Sequence, residues 1–423
     1  MSKLVVALAG LGTIGTGLAR LLAENSAAQE RLVLKSVLVR DASKPRPFLP
    51  ASARLVTNLE DVIGDPEIDI VVELWGGVDA ALLLCRSALA AGKHVVTANK
   101  NLLAEKGPEL FALAREKRVT IGFEASVCAG IPIIRVLREA LRAERILSVE
   151  GIVNGTTNYI LTRMSEAHVS YDEALKEAQE KGYAEPDPTY DVTGKDAACK
   201  AGILASLAFG SFVDTQRIPT SGISTLDAED VRQAEAMGYR IKLIAAGRRT
   251  ASGALDVEVA PVLLPHDHPL ASVRLEYNAV LVESQGLGRT VYSGKGAGPA
   301  PTAVSLLADL LDAAEGRALP ADGSGFTAKP AALEPPRDQI DRYYVHLCVP
   351  DKPGVLAKVA GVLAASHVSL ASVLQPEAEP DAQSFIPLIM TTHRARRENL
   401  DAALTELKKE NWGKQVVLRI QDR

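Results

Sequence analysis

Cysteine is scarce in this chain: four residues in 423, Cys85, Cys128, Cys199 and Cys348, lie far apart with no CxxC pair among them. The scarcity excludes a disulfide framework and a zinc site of ordinary ligand spacing. It fits a reducing compartment, so a cytoplasmic location is expected. Long apolar runs are also missing. The longest uncharged stretch, from Leu4 to Ala19, is broken by Gly10, Gly12, Gly15 and Gly17, whereas a spanning helix needs about 20 mostly apolar residues. Neither a membrane segment nor a cleaved leader is expected there. Positive charge is not in surplus: Lys plus Arg number 47 against 52 Asp plus Glu, a net charge of −5. Sequence-independent binding to nucleic acid or to an anionic membrane is therefore not expected. Glycine (32) and proline (23) are close to average usage and 47% of residues are apolar, which excludes a collagenous or disordered chain.

What is present is enough folded chain for two or three domains. Residues 4–9 form a Val/Leu-rich run that ends in GLGTIG, after which Leu18, Leu21 and Leu22 recur at helical spacing, the pattern of strand, turn and helix. Further buried-strand candidates follow at 33–39, 68–74, 93–98 and 119–125, with Ala/Leu-rich helical stretches at 79–91 and 101–117. Such alternation implies right-handed crossovers and a mostly parallel sheet covered on both faces. Residues 1–131 are thus expected to be an N-terminal α/β domain, doubly wound and Rossmann-like. From Pro132 the pattern changes to helices at 132–142, 156–166, 171–181 and 193–209, then strands at 255–264 and 278–285. This predicts an α+β second domain over 132–315, whose last helix, within 297–314, could pack back on the first. Residues 316–340 contain Pro320, Pro330, Pro335, Pro336, Gly316, Gly323 and Gly325 without hydrophobic periodicity, the composition of a linker. The remainder, 341–423, reads βαββαβ, a small ferredoxin-like domain.

Three clusters carry chemistry. Gly10-Leu11-Gly12-Thr13-Ile14-Gly15 lies between a predicted strand and a predicted helix. The first glycine makes the turn, the second lets backbone approach a pyrophosphate, and the third lets helix pack on strand. After the second strand come Arg40 and Asp41; the arginine can pair with a 2′-phosphate and points to NADP, the alternative being a solvated arginine with Asp41 on the ribose of NAD. Thr97-Ala98-Asn99-Lys100 closes the strand at 93–98, the edge where open α/β sheets bind ligands. In Gly182-Tyr183-Ala184-Glu185-Pro186-Asp187-Pro188 the prolines hold the chain extended, so Glu185 is not a helix-surface charge. Asp191 follows, and Asp196 and Lys200 share one helix face. A surface salt bridge is the ordinary reading of that pair, but the apolar run around it suggests a buried helix, where an unpartnered charge is costly. His94 and His346 lie inside predicted strands and are expected to be hydrogen-bonded structural residues, and His266-Asp267-His268 is followed by Pro269 in a loop and is not expected to bind metal.

These motifs resemble homoserine dehydrogenases over nearly the whole chain: GLGTIGTG, VVTANK, FEASVCAGIPII, NGTTNYIL, GYAEPDPTYDVTGKDAACK, GAGPAPTAVSLLADL, and DKPGVL of a C-terminal ACT domain. The resemblance implies reversible NAD(P)H-dependent reduction of L-aspartate 4-semialdehyde to L-homoserine, in threonine and methionine biosynthesis. It implies that Lys200 donates a proton to the aldehyde oxygen and that Lys100 lies beside substrate and nicotinamide. Glu185 and Asp196, with Asp191 close by, would hold the substrate ammonium, and donors around Asn154 to Thr157 its carboxylate. Gly182, Glu185 and Gly298 match positions near the cofactor. A monovalent cation, usually Na+, would sit at Glu124, Val127, Ala129 and Ile131, mostly on backbone carbonyls. L-Threonine is the implied effector, and a homodimer or an ACT-mediated homotetramer the implied assembly. Trp75 departs from the smaller aliphatic residue usual in the family and leaves the shape of the nicotinamide wall open. Hydride arriving at an aldehyde carbon drives charge onto oxygen, and a lysine crowded by a second lysine and partly desolvated is expected to have a lowered pKa and to deliver the proton.

Overall fold

The valine- and leucine-rich run Leu4–Ala9 forms strand β1, and β2 (Leu32–Leu38), β3 (Arg54–Val56), β4 (Ile70–Glu73), β5 (His94–Thr97) and β6 (Ile121–Gly122) complete a parallel sheet in the order β3-β2-β1-β4-β5-β6. The structure is a computed structural model that describes residues 3–46, 48–317, 325–326, 330–334, 339–375 and 385–421. The strands are short and buried on both faces because helices Thr13–Glu24, Asp79–Ala90 and Lys100–Lys117 cover them, as the crossover pattern predicts. The strand order reverses beside β1, so its carboxyl end opens on a crevice. The strand expected at 119–125 stops after Gly122, because Glu124 turns into a 3-10 turn and its carboxylate accepts from the Ile134 and Arg135 amides.

The helix expected at 132–142 is instead a single turn, Ile133–Arg135, followed by a π-helical turn, Val136–Ala140. Helices Gly155–Ala167 and Lys195–Phe209 pack on strands β7 (Ile146–Ile152), β8 (Tyr239–Arg249), β9 (Leu255–Pro265) and β10 (Tyr277–Ser284), helix Tyr171–Glu180 packs on Gly155–Ala167, and β11 (Gly288–Lys295) pairs with β10. Helix Pro299–Ala314 returns to the first sheet, where Leu306, Leu307 and Leu310 join Val6, Leu8 and Leu18 in one core.

The C-terminal unit is βαββαβ: β12 (Ile340–Pro350), helix Val355–Ala365, β13 (Leu370–Leu374), β14 (Phe385–Thr392), helix Arg397–Lys408 and β16 (Gln415–Ile420), with a two-residue β15 (Ala395–Arg396) added against β12. Its four main strands do not stand apart. β16 pairs in parallel with β9, Arg419 opposite Val262 and Ile420 opposite Leu263, so one sheet runs β11-β10-β7-β8-β9-β16-β12-β14-β13.

Two features tie the C-terminal part of the chain to the rest, and the first of them departs from a free linker. Phe326 is buried, stacked on Phe111 at 4.6 Å and edge-on to Phe123, and Ala331 N donates to Phe212 O. An aromatic ring in a Pro/Gly-rich stretch finds a core to fill, and composition averages hide it. Residues 318–324, 327–329 and 335–338 of that segment lie outside the described residues. The second feature is a polar seam. Helix Ala228–Ala236 is closed by a reciprocal cap between Asp227 and Asp230. Asp230 also accepts from Tyr344 Oη at 2.9 Å and Lys414 Nζ at 2.6 Å and pairs with His346 Nδ1 at 2.7 Å. His346 and His94, the latter 2.8 Å from Thr120 Oγ1, are the hydrogen-bonded strand residues expected.

Candidate active site

At the carboxyl end of β1, Gly10 takes φ +106°, and a Cβ on Gly15 would lie 2.2 Å from the Gly10 carbonyl oxygen, so only glycine allows helix Thr13–Glu24 to start there. Gly12 precedes that helix with nothing within 4 Å of its missing side chain, and no side chain caps the first turn around Thr13 and Ile14. Open backbone at a helix start is what an anionic pyrophosphate needs. Gly298 caps helix Pro299–Ala314 at φ +116°, and a Cβ on Gly17 would lie 3.8 Å from Pro299 O, which brings Gly298 to the same edge. Trp75 also stands there, its Cδ1 3.4 Å from where a Gly10 Cβ would be.

The loop after β2 closes locally on Asp41: its Oδ1 accepts the Ser43 amide and hydroxyl, and these bonds hold the carboxyl below the usual range. Arg40 beside it is exposed. Buried Glu73, which sequence reasoning missed, organises the next two loops. It accepts the Trp75 and Gly76 amides on one oxygen and the Thr97 hydroxyl, at 2.6 Å, on the other. The acid ends a four-residue buried strand in VVEL, the one signal that could have revealed it.

The lysines meet on one carboxylate. Asp196, 2% exposed, receives Lys100 Nζ on Oδ1 at 2.6 Å, and Lys200 Nζ and Asn154 Nδ2 on Oδ2, both at 2.8 Å. Lys200 spends a second N–H on Val153 O at 2.7 Å, which leaves its third uncommitted. Asn154 also donates to Asp191 Oδ1 at 2.8 Å, and its own Oδ1 accepts the Thr157 amide. This arrangement corrects two expectations. Burial pushes the Lys200 ammonium down, but Asp196 against it more than compensates, so its pKa is raised above the ordinary lysine value, not lowered. Asn154 is committed to orienting two acids and is not a spare donor. Asp196 itself is penalised by burial, yet Lys200, Lys100 and Asn154 hold it below the usual carboxylate range.

Gly182, at φ +74°, ends the turn after helix Tyr171–Glu180, and the Glu185 side chain beyond it is exposed. Among the described residues the structure does not bring the Glu185 carboxylate into the lysine cluster, whereas Asp191 joins it through Asn154.

Three family profiles match this chain: homoserine dehydrogenase over residues 132–311, the homoserine dehydrogenase NAD-binding domain over 10–124, and the ACT domain over 343–411. A homoserine dehydrogenase of Pseudomonas aeruginosa is 42% identical over 419 residues, 96% of each chain. The chain belongs to the homoserine dehydrogenase family. The crystal structure of a homoserine dehydrogenase from Thiobacillus denitrificans superposes with a TM-score of 0.90 at 40% identity, covering 100% of this chain and 99% of that one. A hyperthermophilic archaeal homoserine dehydrogenase in complex with NADPH matches with a TM-score of 0.62 at 29% identity, covering 74% of this chain and 98% of that one. The enzyme is thus a nicotinamide-dependent oxidoreductase that interconverts L-homoserine and L-aspartate 4-semialdehyde, with an ACT domain at its C-terminus. Among the described residues no helix is long and apolar enough to cross a membrane.

The four positions expected to hold a cation, Glu124, Val127, Ala129 and Ile131, lie in one buried bend. Ala129 O accepts the Ser305 hydroxyl and Ile131 O the Ile133 amide at 2.7 Å, so each carbonyl keeps one lone pair. Val127 is fully buried, and Cys128 between them has φ +49°. Burial pushes the Glu124 carboxyl up to about 7 against the two amides that favour its charge. In the other histidine motif, His266 pairs with Glu235 at 3.2 Å and His268 Nδ1 accepts the Leu270 amide.

Proposed function

We propose that Lys200 is the proton donor of this homoserine dehydrogenase and that Lys100 steadies the developing alkoxide. The observation that carries this reading is the single Asp196 carboxylate shared by both ammonium groups. The nicotinamide supplies the hydride. Asp196 keeps Lys200 an ammonium at neutral pH, and the uncommitted N–H can pass its proton to the carbonyl oxygen as charge builds there. In homoserine oxidation the same group must first lose that proton, so alkaline pH favours oxidation while semialdehyde reduction holds level. Glu185, exposed at the mouth, and Asp191 are proposed to meet the substrate ammonium. The test is Lys200→Met: turnover falls by about 10² or more for loss of general-acid help, and the alkaline rise of homoserine oxidation disappears. A variant keeping a tenth of wild-type turnover would overturn the assignment.

The preferred cofactor is NADP, with NAD also used. Asp41 is occupied by its own turn, while Arg40, Lys44 and Arg46 gather on the loop, and the archaeal relative was solved with NADPH. Arg40→Ala should raise KM for NADP and leave that for NAD nearly unchanged, because only NADP offers a 2′-phosphate. Glu124, Val127, Ala129 and Ile131 would hold a monovalent cation, Na+ for preference, which would tie the bend to the catalytic helices. Free thiols at all four cysteines accord with a cytoplasmic enzyme.

Feedback by L-threonine is proposed at Asp351–Leu356, where Gly354, at φ +91°, precedes helix Val355–Ala365 and no side chain caps it. Free amides there suit an amino-acid carboxylate. Strand β13 is one of the two end strands of the long sheet, with Val373 and Leu374 more than 40% exposed, so a second copy could pair there in a homodimer or homotetramer. Because β16 is built into the catalytic sheet, removing the ACT domain would tear the core. Threonine titration of the full chain against Gly354→Leu is the cleaner test, and equal inhibition of both would place the effector elsewhere.

A further inference from the structure

Tyr190 lies in the short helix Thr189–Val192, directly before the helix that carries Asp196 and Lys200. Its hydroxyl donates to Asn101 Oδ1 at 2.7 Å and lies 3.1 Å from Cys199 Sγ. Asn101 belongs to helix Lys100–Lys117, which follows β5 of the dinucleotide-binding sheet, and Cys199 belongs to helix Lys195–Phe209 of the catalytic part. One phenol therefore ties its own short helix to two further elements across the seam between two domains. Its ring does more than bridge: the Lys100 ammonium lies 5.8 Å from the ring centroid while bonded to Asp196.

Lys100 is the more exposed of the two lysines. Its side chain is 29% exposed, against 11% for Lys200, and the structure gives its ammonium one ionic partner. Water competes for such a group, and the long stem loses rotamer freedom whenever it is held. An aromatic face adds attraction from a second direction without neutralising the charge. Burial, and then Cys199, push the Tyr190 phenol well above its ordinary value, so it remains a neutral donor to Asn101 at any working pH.

We infer that Tyr190 is a positioning residue for this reaction, holding the Lys100 ammonium on Asp196 with its ring and clasping the two domains together at Asn101 with its hydroxyl. The inference rests on the reading of Lys100 as a group beside the reacting atoms. Neither a GxGxxG-type motif nor helical periodicity marks Tyr190; it emerges only where three elements converge.

Steady-state kinetics on four variants of the full enzyme test it. Tyr190→Leu removes ring and hydroxyl and should lower kcat about tenfold with KM for homoserine within about threefold, a change in the transition state and not in ground-state binding. Tyr190→Phe restores the ring and should recover most of that loss. Asn101→Ala should cost no more than Tyr190→Phe, which also loses the Cys199 contact, and the double variant should be no worse than Tyr190→Phe, because both remove the same bond between Tyr190 and Asn101. A kcat for Tyr190→Leu within twofold of wild type overturns the inference, as does a Phe variant no better than Leu. If Tyr190→Leu does not fold, additive losses in Tyr190→Phe/Asn101→Ala overturn the clasp and non-additive losses support it. Lys100→Met, run in parallel, separates the two readings. Full activity in that variant defeats the role of Lys100 itself, while an inactive Lys100→Met beside an unaffected Tyr190→Leu defeats only the positioning role.

Discussion

Two buried aspartates, Asp196 and Asp230, are built alike and do different things. Each is almost fully buried, each accepts from a lysine ammonium and from neutral or imidazole donors, and each is held below the usual carboxylate range, Asp230 at about 2. Burial opposes the charge in both cases, and hydrogen bonds from cationic partners overcome it. What separates them is position. Asp196 gathers Lys100, which opens the helix after β5 at the carboxyl edge of the parallel sheet, and Lys200 of its own helix. Asp230 lies between helix Ala228–Ala236 and the ACT strands, and Lys414 spans it and Asp227 at 2.6 Å each. A depressed pKa and a charge cluster therefore do not define a catalytic site; the elements that surround the cluster decide. Asp227, Asp230 and His346 have the spacing of a metal triad, but an ammonium already occupies the carboxylates, and the cluster reads as a structural seam.

The sharpest way to break this comparison is to neutralise both acids. Asp196→Asn should lower kcat by about 10² or more, since Lys100 and Lys200 lose their common anchor. Asp230→Asn should leave kcat within about threefold, measured on folded enzyme without effector. An Asp230→Asn enzyme as crippled as Asp196→Asn would show that the seam belongs to the catalytic machinery. The next effect is on stability. Asp230→Asn leaves Lys414 and His346 facing a neutral amide and should cost about 3 kcal/mol, the scale for breaking a buried pair, read from denaturant unfolding.

Acid titration sharpens the contrast further. A carboxyl depressed in the folded state stabilises above its unfolded value, and that stability is lost as pH falls through the folded value. Between pH 3.8 and about 2, wild-type Tm should fall more steeply than that of Asp230→Asn. The smallest effect is at the other end of the scale. Burial and the neighbouring charge of Glu124 push Asp309 up to about 8, so its contribution runs in the opposite sense: stability is fully present below pH 3.8 and is lost as pH rises through about 8. Asp309→Asn keeps an acceptor for the Glu124 amide, which bonds Asp309 Oδ2 at 3.0 Å, and should hold its Tm better than wild type above that pH. A parallel loss in both would show that Asp309 is not the titrating group.

Local patterns were legible in the sequence by itself because their physics is local. The alternation of apolar runs specified a parallel sheet, the spacing of Gly10, Gly12 and Gly15 a turn that only glycine can make, and the i, i+4 relation of Asp196 and Lys200 a shared helix face. The βαββαβ order and the structural roles of His94 and His346 followed from periodicity and from histidines within strands. Only the tertiary structure decided what depends on contacts between distant segments. It brought Lys100 onto Asp196 and buried that carboxylate against Lys200, so that Asp196 raises the Lys200 pKa where crowding by lysine alone would lower it. It also inserted Phe326 into an aromatic core, joined β16 to β9, and set Lys414 on Asp230. None of these carries a sequence period, because each is chosen by which surfaces remain unburied after the local elements have formed.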